Sequence, residues 1–311
     1  MAIVLLAVLL IVISWFVAPL FWAQRLLTAG RFAAGLKSAL VEVDGRRWHY
    51  LEGGTGPVLI ALHGFGGDAD NWLRIARGLG KRFHVIAPDL PGFGSSDAGN
   101  DLAFDIDSQV TRLEAFVRTL GVRPKVVVGS SMGGWIATAY AARYPGQLRA
   151  LWLLAPLGVH NSQPSRTLEA IDLGQESPIH IANPQEFKQR VVVPMFGRLP
   201  WIPYPLLMFY AKKAIEQSEI GDRMFMQVLK DSTPLESIAA TIKIPVLLQW
   251  GAMDRVVDVS GVAALEPVIQ ELTVQVQSKV GHLPMLETPG ESLGFFREFC
   301  AQHKLLSSND K

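Results

Sequence analysis

The sequence predicts an α/β fold: a mostly parallel central sheet flanked by helices, with an inserted helical cap and an N-terminal transmembrane helix. Short apolar runs at 58–62, 83–87, 125–128, 151–154, 245–250 and 273–277 alternate with helix-compatible segments at 71–79, 107–120, 132–144, 262–269 and 291–303. Strands that are buried on both faces and joined by helices read in this way. Between 158 and 239 the alternation stops and the chain becomes helical and rich in proline, which marks an insertion between two strands. The third observation is an uncharged apolar stretch of twenty-one residues, 2–22.

As one helix, that stretch spans about 31 Å, against a hydrocarbon core of about 30 Å. It has no basic n-region, and Phe21-Trp22-Ala23 is a poor small-x-small cleavage site, so it reads as an anchor rather than a cleaved signal. Trp15, Phe16, Phe21 and Trp22 supply interfacial aromatic groups. Residues 24–38 continue a helical pattern in which Leu26, Leu27, Phe32 and Leu36 alternate with Arg25, Arg31 and Lys37, suited to lying along headgroups. Those cations follow the anchor, and a literal positive-inside count puts the rest of the chain in the cytoplasm.

Residues 40–51 carry Asp44-Gly45 between two apolar runs, the signal of an antiparallel hairpin. In the cap, 199–210 is strongly apolar and reads equally as cap core or as the wall of an acyl pocket. The expected organisation is an anchor at 1–24, a juxtamembrane helix at 25–38, a core at 39–157 and 240–305, a cap at 158–239 and a tail at 306–311.

The chain has 311 residues, and 29 basic against 28 acidic side chains leave a net charge of +1. This gives no electrostatic reason to expect a nucleic-acid partner. Cys300 is the single cysteine, so no intrachain disulfide forms, and it reads as a small core residue or free thiol.

The chemistry lies in the loops after the strands. Gly129-Ser130-Ser131-Met132-Gly133 forms G-x-S-x-G after a β-branched strand and before an alanine-rich helix. An exposed serine on a sharp strand-to-helix turn needs small neighbours, which Gly129 and Gly133 provide. Ser131 is the expected nucleophile, and Ser130, one step away, should point elsewhere. The backbone N–H of Met132 is one expected oxyanion donor; that of Phe65, in the loop His63-Gly64-Phe65-Gly66-Gly67, is the other, with His63 and Gly64 supporting the loop. His282 is the expected base, because among the 7 histidines it alone lies in a loop after the last strand, His303 belonging to the terminal helix. Asp254, after the strand at 245–250, is the expected acid and Asp258 its competitor. Asp89-Leu90-Pro91-Gly92 reads as an architectural turn. No paired-cysteine, His-x-x-x-His or nucleotide-loop pattern occurs, so no cofactor or metal is expected.

Taken together, His63-Gly64-Phe65-Gly66, the turn 89–96, the elbow 129–134, Trp250-Gly251-Ala252-Met253-Asp254 and Gly281-His282 resemble the α/β-hydrolase family over about 40–303. The apolar N-terminus, the Ser131-Met132-Gly133-Gly134 elbow and the segment 254–261 look like membrane-anchored monoacylglycerol lipases and membrane-bound bacterial phospholipases A. The resemblance implies hydrolysis of lipid acyl esters to a fatty acid, with a cap tunnel for the acyl chain. It also implies a single-pass protein of the bacterial inner membrane with a periplasmic catalytic domain, against the charge count. Apart from the resemblance, the anchor and juxtamembrane helices offer a surface for pairing two copies. Serine at 131 argues against dehalogenases and epoxide hydrolases of similar sequence, which use aspartate there. An esterase of soluble substrates, a carbon–carbon bond hydrolase and a non-catalytic lipid-binding membrane protein are the remaining alternatives.

Overall fold

The computed structural model describes residues 1–99, 103–165, 167, 169, 177, 179–231 and 233–306; the expected tail lies outside them beyond residue 306. Eight strands form one sheet: β1 (Lys37–Val43), β2 (Arg46–Gly53), β3 (Val58–Leu62), β4 (His84–Pro88), β5 (Pro124–Ser130), β6 (Ala150–Leu154), β7 (Val246–Gly251) and β8 (Leu272–Gln277). Their order is β1-β2-β4-β3-β5-β6-β7-β8. Strands β1, β2 and β4 pair antiparallel, and every later neighbour is parallel. Asp44 and Gly45 both adopt positive φ, 50° and 73°, as a tight hairpin turn whose twist matches its strands requires.

The central strands β3 to β7 are mostly apolar and buried because both faces are covered, whereas the edge strands β1 and β8 carry polar residues and stay partly exposed. Along β5, Val127 joins one core with Ile60, Leu62, Trp135 and Ile136, while Val126 and Val128 join the other with Trp72, Trp152 and Phe296. Each face carries its own helices. On the first lie α4 (Ile106–Thr119) and α5 (Met132–Arg143); on the second lie α3 (Leu73–Leu79) and, near the C-terminus, the helix Pro289–Gln302. Cys300 is buried in the second core, where burial pushes its thiol up to about 12.

Between β6 and β7 comes the inserted segment. A helical stretch covers Pro184–Glu186, Phe187–Val192 and Val193–Met195, followed by α6 (Tyr204–Glu216), α7 (Ser218–Leu229) and α8 (Leu235–Ala239). After β7 come α9 (Gly261–Leu265), α10 (Pro284–Glu287) and α11 (Pro289–Gln302).

The N-terminus corrects two expectations. The apolar stretch is not one helix: α1 (Ala2–Val17) ends at Ala18, and α2 (Pro19–Ala34) leaves it at 98°. Pro19 lacks an N–H and its ring clashes with the preceding turn, so the helix breaks there. The bend is closed by polar contacts, with Trp22 Nε1–H donating to Ser14 Oγ at 3.0 Å and the Ser14 hydroxyl to the Ile11 carbonyl at 2.7 Å. Among the described residues no single helix is long and apolar enough to cross a membrane; the bent pair passes that test only as a pair. The juxtamembrane helix expected at 25–38 begins earlier and stops at Ala34, because Gly35 takes a left-handed cap and Lys37 and Ser38 enter β1.

Candidate active site

The strand order reverses between β4-β3 and β5. In such sheets the chain leaves neighbouring strands in opposite directions and opens a crevice at their carboxyl ends. Ser131 follows β5 and His63-Gly64-Phe65 follows β3 at that crevice.

Ser131 has φ 54° and ψ −119°, a conformation that costs a non-glycine residue of order 1–3 kcal/mol. Packing enforces it. A Cβ on Gly129 would lie 2.2 Å from the Gly133 carbonyl oxygen, and one on Gly133 would lie 2.3 Å from that of Leu62. Glycine at both sites therefore lets β5, β3 and α5 meet at the elbow. Ser131 occupies the N-cap position of α5, yet its side chain makes no capping hydrogen bond, which leaves Oγ for other chemistry. The N–H of Met132, first in that helix, lies where the helix dipole favours negative charge. Ser130 Oγ is buried and has no hydrogen-bond partner in the structure.

The loop after β3 lies against the elbow. A Cβ on Gly64 would be 3.1 Å from Ser131 Cβ and 3.7 Å from Oγ. His63 braces the loop: its Nε2 accepts from the N–H of Leu90 at 2.9 Å, so Nδ1 carries the proton and donates to the Gly64 carbonyl at 2.7 Å. Burial lowers the His63 pKa, in keeping with this neutral ring. Phe65 stands edge-on to Phe93 (5.1 Å) and to Phe225 of α7 (5.0 Å), so the loop touches the cap.

His282 and Asp254 come together from two loops. His282 Nδ1 lies 2.7 Å from Asp254 Oδ2, with both side chains buried. Asp254 Oδ1 accepts from the N–H groups of Val256 (2.8 Å) and Val257 (3.0 Å), so the carboxylate is held at both oxygens. Asp258 instead accepts from the N–H of Ser260 at 2.9 Å, as a turn residue.

A second Ser–His–Asp array occurs at the sheet edge, where Ser38 Oγ is 2.7 Å from His49 Nε2 and His49 Nδ1 is 2.8 Å from Asp89 Oδ2. Here Ser38 is an ordinary β1 residue, with neither positive φ nor a helix N-terminus behind it. Asp89 also accepts from the N–H groups of Ala69 and Ser95. Although burial pushes the Asp89 carboxyl up, the His49 and Ala69 hydrogen bonds hold it below its usual value. This array ties the turn after β4 to the hairpin.

Sequence reasoning did not find the ion pairs around the loop after β3. Arg31 of α2 grips Asp70 through two contacts of 2.7 Å, and Lys213 of α6 lies 3.3 Å from Asp68. Their partners are 39 and 145 residues distant in the chain, so no local pattern announces them.

Comparison with known proteins agrees with this architecture. A family described by the alpha/beta hydrolase fold matches residues 57–196. Lipase 1 of Psychrobacter immobilis is 32% identical over 84% of this chain and 83% of its own length. The monoacylglycerol lipase ABHD6 of Homo sapiens is 28% identical over 83% of this chain and 79% of its own. The crystal structure of a bacterial membrane phospholipase A superposes with a TM-score of 0.89 at 36% identity, covering 97% of each chain. With the strained serine elbow, the flanking loops and these relatives, the chain belongs to the α/β-hydrolase family.

Proposed function

We propose that the protein is a membrane-associated serine carboxylester hydrolase, of lipase or phospholipase A type, that cleaves acyl esters of glycerolipids. The observation that carries the reading is the strained Ser131 beside the Gly64 loop, with the buried His282–Asp254 pair in the loops that follow β8 and β7. With Nδ1–H of His282 donating to Asp254, the Nε2 lone pair takes the Ser131 proton as Oγ attacks the ester carbonyl. The N–H groups of Phe65 and Met132 receive the oxyanion. Nε2–H then protonates the departing alcohol, leaving an acyl group on Ser131. Water, deprotonated by the same nitrogen, releases the fatty acid.

The lipid substrate class is supported by relatives that are lipases, a monoacylglycerol lipase and a membrane phospholipase A. It is supported also by α1, whose side chains from Ile3 to Ile13 are exposed and apolar on every face. Water offers such a surface no partner, whereas acyl chains do. At 16 residues, α1 is about 24 Å long. It buries in the membrane with the Trp15–Trp22 pair at its headgroup end. Carbonate-resistant association with membranes, lost when residues 2–17 are deleted, tests this. Protease shaving of spheroplasts tests a periplasmic placement, and crosslinking in the membrane tests pairing of two copies through α1 and α2.

Function is tested by hydrolysis with wild type and Ser131→Ala over monoacylglycerols, lysophospholipids, diacyl phospholipids and short p-nitrophenyl esters. Serine-dependent release of fatty acid from a lipid is expected. Full turnover by Ser131→Ala would overturn the mechanism, and activity confined to short soluble esters would overturn the lipid assignment.

A further inference from the structure

Behind His282 three segments of backbone meet with no room for a side chain. A Cβ on Gly251, at the end of β7, would lie 2.1 Å from the Gly281 carbonyl oxygen. One on Gly281 would lie 2.5 Å from the amide nitrogen of Gly197, and one on Gly197 would lie 2.6 Å from the carbonyl oxygen of Lys279. The strand leading to Asp254, the loop carrying His282 and the cap segment after Met195 therefore lie backbone on backbone.

One carboxylate closes this stack. Glu287 Oε1 accepts from the N–H of Gly281 at 2.6 Å and from that of Gly197 at 3.2 Å. Its Oε2 accepts from Gly197 at 3.1 Å and from Arg198 at 3.3 Å. Alongside, the N–H of His282 itself donates to the Met195 carbonyl at 2.8 Å. Charge-assisted hydrogen bonds to backbone amides are the stronger kind, and these span 90 residues of sequence between cap and loop.

We propose that Glu287 is a positioning residue that joins the cap segment 195–198 to the His282 loop, making this part of the cap a fixed support of the base rather than a movable lid. The inference rests on the assignment of His282 as the base. Glu287 acts on His282 through backbone, by way of the N–H groups of Gly281, which precedes it, and of Gly197 and Arg198 in the cap. Without it, the loop's hold on the cap falls to the His282 N–H bond to Met195 and the glycine contacts, and the imidazole drifts from the serine. Misplacement of about 1 Å can cost on the order of 100-fold in rate.

The test measures kcat and KM for a short p-nitrophenyl ester in the full-length protein. Active sites are counted by the burst of p-nitrophenol and by fluorophosphonate labelling, so unfolded molecules drop out. Glu287→Ala should lower kcat per active site about 10- to 100-fold, with KM within about twofold of wild type. Glu287→Gln keeps one acceptor for Gly281 but turns an amide donor towards Gly197 and Arg198, and should fall between. Gly197→Ala, which pushes the cap segment off the loop without touching the carboxylate, should reproduce the loss. Wild-type kcat per active site in Glu287→Gln and Gly197→Ala would overturn the proposal, as would a loss of activity that only follows the number of active sites. Ser131→Ala separates the two readings: turnover surviving in it removes the triad itself, whereas an inactive Ser131→Ala beside fully active Glu287 variants removes only the role of Glu287.

Discussion

At the scale of single residues, a hydrogen-bonded serine, histidine and aspartate do not by themselves make a nucleophile. Ser38–His49–Asp89 has hydrogen-bond distances of 2.7 and 2.8 Å, but its serine lies relaxed in an edge strand. Ser131 is held at positive φ at the start of a helix, where developing negative charge meets free N–H groups. A fluorophosphonate should therefore label Ser131 and leave Ser38 unmodified, which mass spectrometry of the labelled peptides will show; modification of Ser38 would mean that the hydrogen-bond array suffices. The same geometry ranks the two candidate acids. Asp254→Asn should lower kcat by about 10³- to 10⁴-fold, because the imidazolium loses its counter-charge and the ring its tautomer. Asp258→Asn, which disturbs a turn to Ser260, should stay within about threefold. Both carboxylates were visible in the sequence as candidates after a strand; only the folded loops bring one of them to His282.

At the scale of elements, the segment after the Gly64 loop is where α2 and the cap helix α6 converge. Asp70 is almost wholly buried beneath Arg31, and breaking a buried pair leaves an uncompensated charge. Asp70→Asn should destabilise the fold by about 3 kcal/mol, read from chemical denaturation. Asp68 lies between Lys213, Asp70 and Asp89, and burial, with those carboxylates, pushes it up to about 6 against the pull of Lys213. The folded protein thus holds this proton more tightly than the unfolded chain, whose ordinary value is 3.8. The stabilisation from Asp68 is then complete at acid pH and is lost as pH rises from about 4 to about 6. Asp68→Asn, which cannot titrate, should flatten Tm against pH over that interval, and an unchanged slope would assign the dependence to other groups. None of these pairings was legible beforehand, because an ion pair between helices leaves no periodic trace in either.

At the scale of the whole molecule, α1 and α2 differ in what they contribute. Helix α1 presents its apolar side chains outward, whereas α2 buries Ala23, Leu27 and Ala34 and carries Arg31. Deleting residues 2–17 should release the protein from membranes while shifting Tm by no more than about 2 °C, near 1 kcal/mol for a chain of this size. Deleting 2–34 should cost much more, because the Asp70 carboxylate loses its cation and core surface is uncovered; equal Tm values for the two truncations would show that α2 adds nothing to the fold.

The sheet, the elbow and the chain order of the candidate serine, acid and histidine are legible in the residues alone. Burial on both faces writes continuous apolar runs into strands, and tight turns admit few residues beyond glycine, so these signals are local. The break between α1 and α2, the contact of Asp254 rather than Asp258 with His282, and the distant partners of Arg31, Lys213 and Glu287 appear only in the fold. Uniform apolarity says that a segment avoids water but not how a proline bends it. A carboxylate that bonds backbone amides 90 residues away has no sequence neighbour to betray its partner, and such contacts exist only once the cap has closed on the sheet.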